Sequence, residues 1–228
     1  MTEAAPACVG LIMDGNRRWA KAKGMSSLAG HQAGRAKAKE IARHAFSRGV
    51  RQLIIYAFST ENWNRAPEEV AYLMQLFGTT LMEDLSELAE EGVAVRFVGE
   101  LSRVPQTLRA ASEKLEAESA KTERGKTLVV ALSYGGRAEI VAAANALIVE
   151  GKPCASEEDF ARALSLRGVP DPDLIIRTGG EKRLSNFLTW QSAYSELAFS
   201  DTLWPDFSAE ELDALFADYA QRERRRGK

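Results

Sequence analysis

The sequence predicts an α/β fold in one domain over residues 1–228, with a mostly parallel central sheet flanked by helices. Three observations carry this. Apolar, β-rich runs alternate with helical patterns, the order that builds a parallel sheet covered on both faces. A length of 228 residues suits one such domain and is short for two. Four polar clusters follow four predicted strands, at the sheet end where these folds hold ligands.

In chain order, Val9–Met13 reads as a short buried strand, and Gly15 and Asn16 then lead into a helix. His31–Arg48 reads as a helix ending near Gly49, and Gln52–Phe58 as a buried strand. Pro67 suits a helix start, with Glu68 and Glu69 favourably placed in the first turn. That helix runs to Glu91, before Gly92. It carries Val70, Leu73, Met74, Phe77, Leu81, Leu85 and Leu88 at helical spacing. Val93–Val98 and Thr127–Ser133 read as strands around an amphipathic helix at Pro105–Lys121. Ala138–Glu150 and Ser156–Leu164 read as helices, Leu174–Ile176 as a buried strand, and Ala209–Gln221 as the closing helix. No repeat or low-complexity linker divides the chain.

Hydrophobic residues make up 45% and charged residues 27%, enough for a core without disulfides or structural metal. A net charge of −2 argues against nucleic-acid binding by bulk electrostatics. Cys8 and Cys154 form neither a CxxC nor a zinc spacing and read as reduced thiols. The first residues lack a basic segment and their apolar run stops at Met13, unlike a signal peptide. No stretch approaches the ~20 apolar residues of a membrane span. The expectation is a cytoplasmic protein that meets any membrane from outside.

The polar clusters carry the chemistry. Asp14-Gly15-Asn16-Arg17-Arg18-Trp19 can point successive N–H groups at an anion, or can be a turn whose Asp caps the next helix. Ser59-Thr60-Glu61-Asn62-Trp63-Asn64-Arg65 suits helix capping, yet also holds an arginine and a tryptophan. Ser133–Arg137 is a third cluster. Arg177-Thr178-Gly179-Gly180-Glu181-Lys182-Arg183-Leu184-Ser185 pairs glycines with cations, a plausible diphosphate cradle. Glu196 stands in an apolar and aromatic stretch and needs a partner.

Met13–Lys21 (MDGNRRWAK), Gly30–Gly34 (GHQAG), Tyr56–Arg65 (YAFSTENWNR), Ser133–Val141 (SYGGRAEIV) and Asp173–Phe207 together resemble the cis-prenyltransferases, above all the bacterial undecaprenyl diphosphate synthases. The blocks stand in the family's order and nearly span the chain. The resemblance implies condensation of isopentenyl diphosphate onto an allylic diphosphate such as farnesyl diphosphate. The product implied is a medium-length Z-polyprenyl diphosphate, undecaprenyl diphosphate, the lipid carrier of cell-wall synthesis. A shorter-chain synthase and a non-catalytic subunit of the same family are the alternatives.

Residue by residue, Asp14 matches the aspartate that holds Mg²⁺ on the diphosphates and assists ionisation. Gly15, Asn16, Arg17 and Arg18 match the allylic diphosphate site, with Trp19 and His31 beside it. Ser59, Thr60, Glu61, Trp63 and Arg65 match a loop that closes over substrates, and Asn62 a residue that helps take the proton. Arg177, Arg183, Leu184 and Ser185 match the isopentenyl diphosphate site, and Glu196 a magnesium-binding carboxylate. Arg225-Arg226-Gly227, in a basic tail at 222–228, is similar to a motif that enters the partner's site in a homodimer. Three positions depart from some members: Ser27 in place of an arginine, Lys182 in place of a histidine, and Arg17 in place of a glycine. Serine at 27 cannot offer a guanidinium to phosphate, and Lys21 or Lys23 is the candidate to supply a cation instead.

The growing chain must leave water, so an apolar tunnel is expected. The helix after Pro67 can line it, with Ile55, Ala57 and Leu132 from strands, although most such positions serve ordinary core. Tyr72 and Leu132 are expected to shorten it. Phe187 to Phe199 has more apolar and aromatic residues than one short strand and turn need, which with the resemblance points to a homodimer. Gly125-Lys126-Thr127 is no Walker loop, because Ala120 stands where a glycine is required and a strand follows. The DDxxD pairs of trans-prenyltransferases are absent.

Overall fold

The structure is a computed structural model that describes residues 5–121, 125–151 and 156–222. Among them, six strands form one sheet: β1 (Cys8–Ile12), β2 (Gln52–Ser59), β3 (Val93–Val98), β4 (Lys126–Tyr134), β5 (Leu174–Arg177) and β6 (Glu196–Phe199). The order is β3-β4-β2-β1-β5-β6 and every pairing is parallel. β1 lies inside the sheet, with β2 on one side and β5 on the other. The chain builds outward on the β2 side first and then crosses to the β5 side. The ends of β1 and β5 therefore flank the topological switch point, where open α/β sheets form a crevice.

Alternate strand residues face two layers. Val9, Leu11, Leu53, Ile55, Leu128 and Val130 join the larger core. Its helices are α2 (Ser27–Ser47), α3 (Pro67–Leu76), α4 (Met82–Glu90), α5 (Gln106–Ser119) and α8 (Ala209–Gln221). Cys8, Ile54, Val129, Ala131 and Ile175 face a thinner layer with Leu166, Phe187 and Leu188. Burial pushes the Cys8 thiol up to about 12, so it stays protonated. On this side Glu139 of α6 (Gly136–Val149) is buried yet accepts from Tyr134 Oη at 2.6 Å, Gln191 Nε2 at 3.1 Å and the Leu166 N–H at 3.3 Å. α6 buries only Gly136, Glu139 and Ala143, which leaves Val141, Ile148 and Val149 exposed. The short helix α7 (Glu157–Ala163) follows.

Two helices differ from the sequence pattern. The helix expected from His31 begins at Ser27, where Ser26 Oγ accepts from the Ala29 N–H. Gly30 and Gly34 hide this start, because glycine weakens a helical pattern. Both face α1 (Asn16–Ala22), and a Cβ at either would overlap Asn16. The helix expected over Pro67–Glu91 is divided: a π-helical turn at Phe77–Leu81 separates α3 from α4. Gly78 and Thr79 in that turn are poor helix formers.

Candidate active site

Asp14 leaves β1 and Arg177 ends β5, where Ile12 and Arg177 pair. Arg177 Nη2 donates to Asp14 Oδ2 at 2.9 Å, and Arg18 Nη2 lies 3.3 Å from Asp14 Oδ1. Arg177 Nη1 donates to the Arg183 carbonyl at 2.6 Å and to Ser185 Oγ at 2.7 Å, folding the 177–185 loop around the guanidinium. Arg177 is only 5% exposed, and its Nε has no hydrogen-bond partner among the described residues. Asp14 thus sits between two guanidinium groups, with part of its carboxylate open to solvent. Gly15, at φ 122°, turns the chain from β1 into α1 past Leu203 and Trp204, a conformation and a closeness that exclude a side chain.

A cavity of about 750 Å³ opens beside Asp14. Arg17, Arg18, Lys21, His31 and Arg65 border it, with the start of α1. Ser27 borders it as well, so Lys21 supplies a cation at the rim that Ser27 lacks. Lys23 instead lies 4.3 Å above the Trp19 ring and points to Asp206. A second cavity of about 580 Å³ shares Asp14, Asn16, His31 and Arg65 with the first and runs under α3. Its deeper wall is apolar: Ile55, Ala57, Leu73, Leu76, Phe77 and Leu81. A polar chamber thus opens into an apolar one, with Asp14 at the junction.

Glu69, in the first turn of α3, organises the shared wall. His31 Nε2 lies 3.2 Å and Arg65 Nη1 3.0 Å from its Oε1, and Arg17 Nε stands 3.9 Å away. Burial lowers the pKa of His31 more than its bond to Glu69 raises it. Burial of Glu69 acts upward, but His31, Arg65 and Arg17 outweigh it and hold the carboxyl low. Sequence reasoning misses Glu69, although Arg65 four residues earlier on the same chain is a visible signal.

The Ser59–Arg65 segment serves two purposes. Thr60–Asn64 is a short 3₁₀ turn in which Asn62 Oδ1 accepts from the Ser59 N–H at 3.1 Å, the capping arrangement. Ser59, Glu61, Asn62 and Arg65 also border the apolar cavity. Glu61 accepts from Thr60 Oγ1 and from Asn186 Nδ2. Burial acts upward on Glu61, while these hydrogen bonds prevail and hold it below its usual value. Asn186 further accepts from the Arg137 N–H at 2.8 Å and its carbonyl from the Gly136 N–H at 2.7 Å, so one residue joins three strand-end loops.

Other expected residues lie away from the cavities. Trp63 Nε1 donates to Ser133 Oγ while its ring meets Phe58 and Arg103. Trp19 Nε1 donates to Asp206. The Arg183 side chain turns to Glu181, and Leu184 borders a separate, smaller hollow with Glu61 and Arg137. Glu196 opens β6 opposite Leu174, at the far end of β5 from Arg177, and pairs with Arg222 at 2.9 Å. Within this chain, Glu196 and Asp14 are not brought together. Leu132 is buried in the larger core and Tyr72 packs against that core; neither borders the apolar cavity, which agrees with the ordinary-core alternative for Leu132. Arg225-Arg226-Gly227 and Cys154 lie outside the described residues.

A parallel α/β sheet that holds a carboxylate among arginines at its switch point, with an apolar chamber behind it, defines a protein built for an anionic head and an apolar tail. A family model described as "Putative undecaprenyl diphosphate synthase" matches residues 12–227, and the chain belongs to that family of cis-prenyltransferases. An isoprenyl transferase of Fusobacterium nucleatum is 44% identical over 100% of this chain and 98% of its own, and that of Aquifex aeolicus is 42% identical with the same shares. Lavandulyl diphosphate synthase from Lavandula x intermedia, solved with dimethylallyl diphosphate, superposes with a TM-score of 0.93 at 35% identity, covering 99% of this chain and 100% of that one. A "probable undecaprenyl diphosphate synthase" from Campylobacter jejuni gives 0.82 at 31% identity, covering 98% and 99%. The chain is a prenyltransferase.

Proposed function

We propose that this chain condenses isopentenyl diphosphate with an allylic diphosphate, farnesyl diphosphate in the first instance, to give a Z-polyprenyl diphosphate. The observation that carries this reading is the placement of Asp14 between Arg18 and Arg177, where the polar chamber meets the apolar one. The allylic head sits at the start of α1, on Gly15, Asn16, Arg17 and Arg18, with its tail under α3. Arg177 and Ser185, both on the wall of the apolar cavity, hold isopentenyl diphosphate on the other side of Asp14, with Arg183, here paired with Glu181, as a further cation. Asn62, beside Ser59 on the wall of the apolar cavity, takes part in proton removal.

Magnesium fits this donor set. Among the described residues no three His, Cys, Asp or Glu side chains cluster as a metal centre. Magnesium with diphosphates commonly takes one or two carboxylates and completes its shell with phosphate oxygens and water, so Asp14 suffices. When bound, the ion supplies charge neutralisation on the leaving diphosphate. Arg17, Arg18 and Arg177 stabilise the same developing charge from preorganised positions. The two chambers hold both reactants in one orientation, which lowers the entropic barrier and fixes the geometry of the new double bond.

Undecaprenyl diphosphate is the product the family suggests. A shorter-chain product is the alternative. Among the described residues no helix is long and apolar enough to cross a membrane, so a lipid product leaves by peripheral contact. The exposed Val141, Tyr194 and Leu197 support a homodimer. The test is turnover of farnesyl diphosphate with labelled isopentenyl diphosphate and magnesium, read by chromatography of the dephosphorylated products. Asp14→Ala folds but loses most of this turnover; near-normal turnover at saturating magnesium overturns the assignment.

A further inference from the structure

Two clasps join α2 to α3 and α4. Near the polar chamber, His31 of α2 meets Glu69 of α3 at 3.2 Å. One turn further along α2, Arg35 Nη1 lies 3.0 Å from Asp84 Oδ2 of α4, and Lys39 Nζ donates to Asp84 Oδ1 at 2.9 Å. The two contacts on α2 are four residues apart, or about 6 Å of helix rise. Those on the other side of the seam, Glu69 and Asp84, are fifteen residues apart, about 22 Å of rise. The α3–α4 run between those contacts includes the π-helical turn at Phe77–Leu81. π-helical turns of this kind recur at functional sites.

The apolar cavity is bordered by Leu73, Phe77 and Leu81 of this run and by Arg35 and Ala38 of α2. Asp84 stands one turn beyond Leu81 on the same side and is only 7% exposed. Beyond that point the outer edge of the seam carries ion pairs, Lys39 and Arg43 with Glu87 and Arg43 with Glu91, while Ile41, Ala42, Leu85 and Leu88 keep its inner side apolar. Arg35 thus brings an ion pair to a wall that Leu73, Phe77, Leu81 and Ala38 otherwise make of hydrocarbon.

We propose that the Arg35–Asp84 pair is the length-limiting wall of the prenyl cavity and sets how many isoprene units the product receives. A hydrocarbon end that reaches it can advance only by parting a largely buried acid from its cation, or by lying against unpaired charge. Either is strongly unfavourable in a site from which water is excluded. Up to that wall each added unit buries more apolar surface and elongation continues. This inference rests on the synthase reading and identifies the residues that decide specificity within it.

The test is the product distribution from farnesyl diphosphate and isopentenyl diphosphate, compared for the wild-type chain, Arg35→Ala and Arg35→Lys. Arg35→Ala shifts the distribution upward by one or more isoprene units. Arg35→Lys keeps the charge beside Asp84 and retains the wild-type distribution. If Arg35→Ala fails to fold by circular dichroism, Arg35→Gln, which is neutral and shorter, gives the same upward shift. An unchanged distribution in the neutral variants overturns the inference and leaves the synthase reading intact. A shift in Arg35→Lys as large as that in Arg35→Ala overturns the role of the charge pair. Absence of any product from the wild-type chain overturns the synthase reading, and the inference with it.

Discussion

At the scale of single residues, His31 on the wall shared by the two cavities and its partner Glu69 titrate in separate windows. Burial lowers the His31 pKa below its usual 6.5, so the folded protein takes up this proton less readily than the unfolded chain. Stability from this group is complete above about pH 6.5 and is lost as pH falls below it, toward the folded value. Glu69 is held below its usual 4.5, so its contribution is lost only in a more acidic window. The urea midpoint of the wild type is expected to fall between about pH 7.5 and about pH 5.5. His31→Gln should fall less over the same range; an equal fall in both excludes His31 as the cause. Much of this site is legible as residue types in motifs. Side-chain direction is not. Trp63 and Trp19 stand in the expected loops, but an indole N–H is satisfied by whichever acceptor the fold brings near, here Ser133 and Asp206. Those partners lie seventy and 187 positions away in sequence, beyond the reach of local pattern.

At the scale of elements, the order of strands and helices follows from hydrophobic period, and boundaries move where tertiary contact overrides propensity. Gly30 and Gly34 interrupt the helical pattern because α1 lies against them, a fact visible only in three dimensions. The apolar stripe after Pro67 reads in sequence as one continuous helix. Divided by the π-helical turn, its residues serve two ends: Leu73, Leu76, Phe77 and Leu81 border the cavity, while Met74, Leu85 and Leu88 lie in the core without bordering it. A single inserted residue per turn has no compositional signature beyond the poor helix formers around it. The same separation of wall from core assigns Leu132 of β4. It is 1% exposed and does not border the cavity. Leu132→Ala is therefore expected to cost about 2–5 kcal/mol in stability and to leave the product distribution unchanged. Denaturant titration and product chromatography check the two halves of that statement, and longer products would return Leu132 to the wall.

At the scale of the whole molecule, the thinner layer leaves apolar surface uncovered. Val141 on α6 is 60% exposed and Tyr194 78% exposed, with Leu197 on the edge strand β6 beside Ala198. Large apolar side chains left open are a feature of partner surfaces, and twofold dimers are the commonest assembly. Light scattering should therefore give a homodimer, and Val141→Glu should move it toward monomer; a fully active wild-type monomer at assay concentration rejects this. The parallel sheet is readable from the alternation of elements. The position of β1 is not, because pairing partners in a parallel sheet are set by crossovers rather than by neighbouring sequence. That position has a bearing on how the protein is born. β1 precedes both of its partners in the chain and gains β2 early, yet its other flank waits for β5. Parallel pairings between distant segments form late, since chain closure precedes any reward from contact. Asp14 and Arg177, 163 positions apart, meet only when that last docking occurs. A nascent chain can thus bury much of its larger core while its reactive centre does not yet exist, and the ability to turn over substrate arrives near the end of folding rather than with collapse.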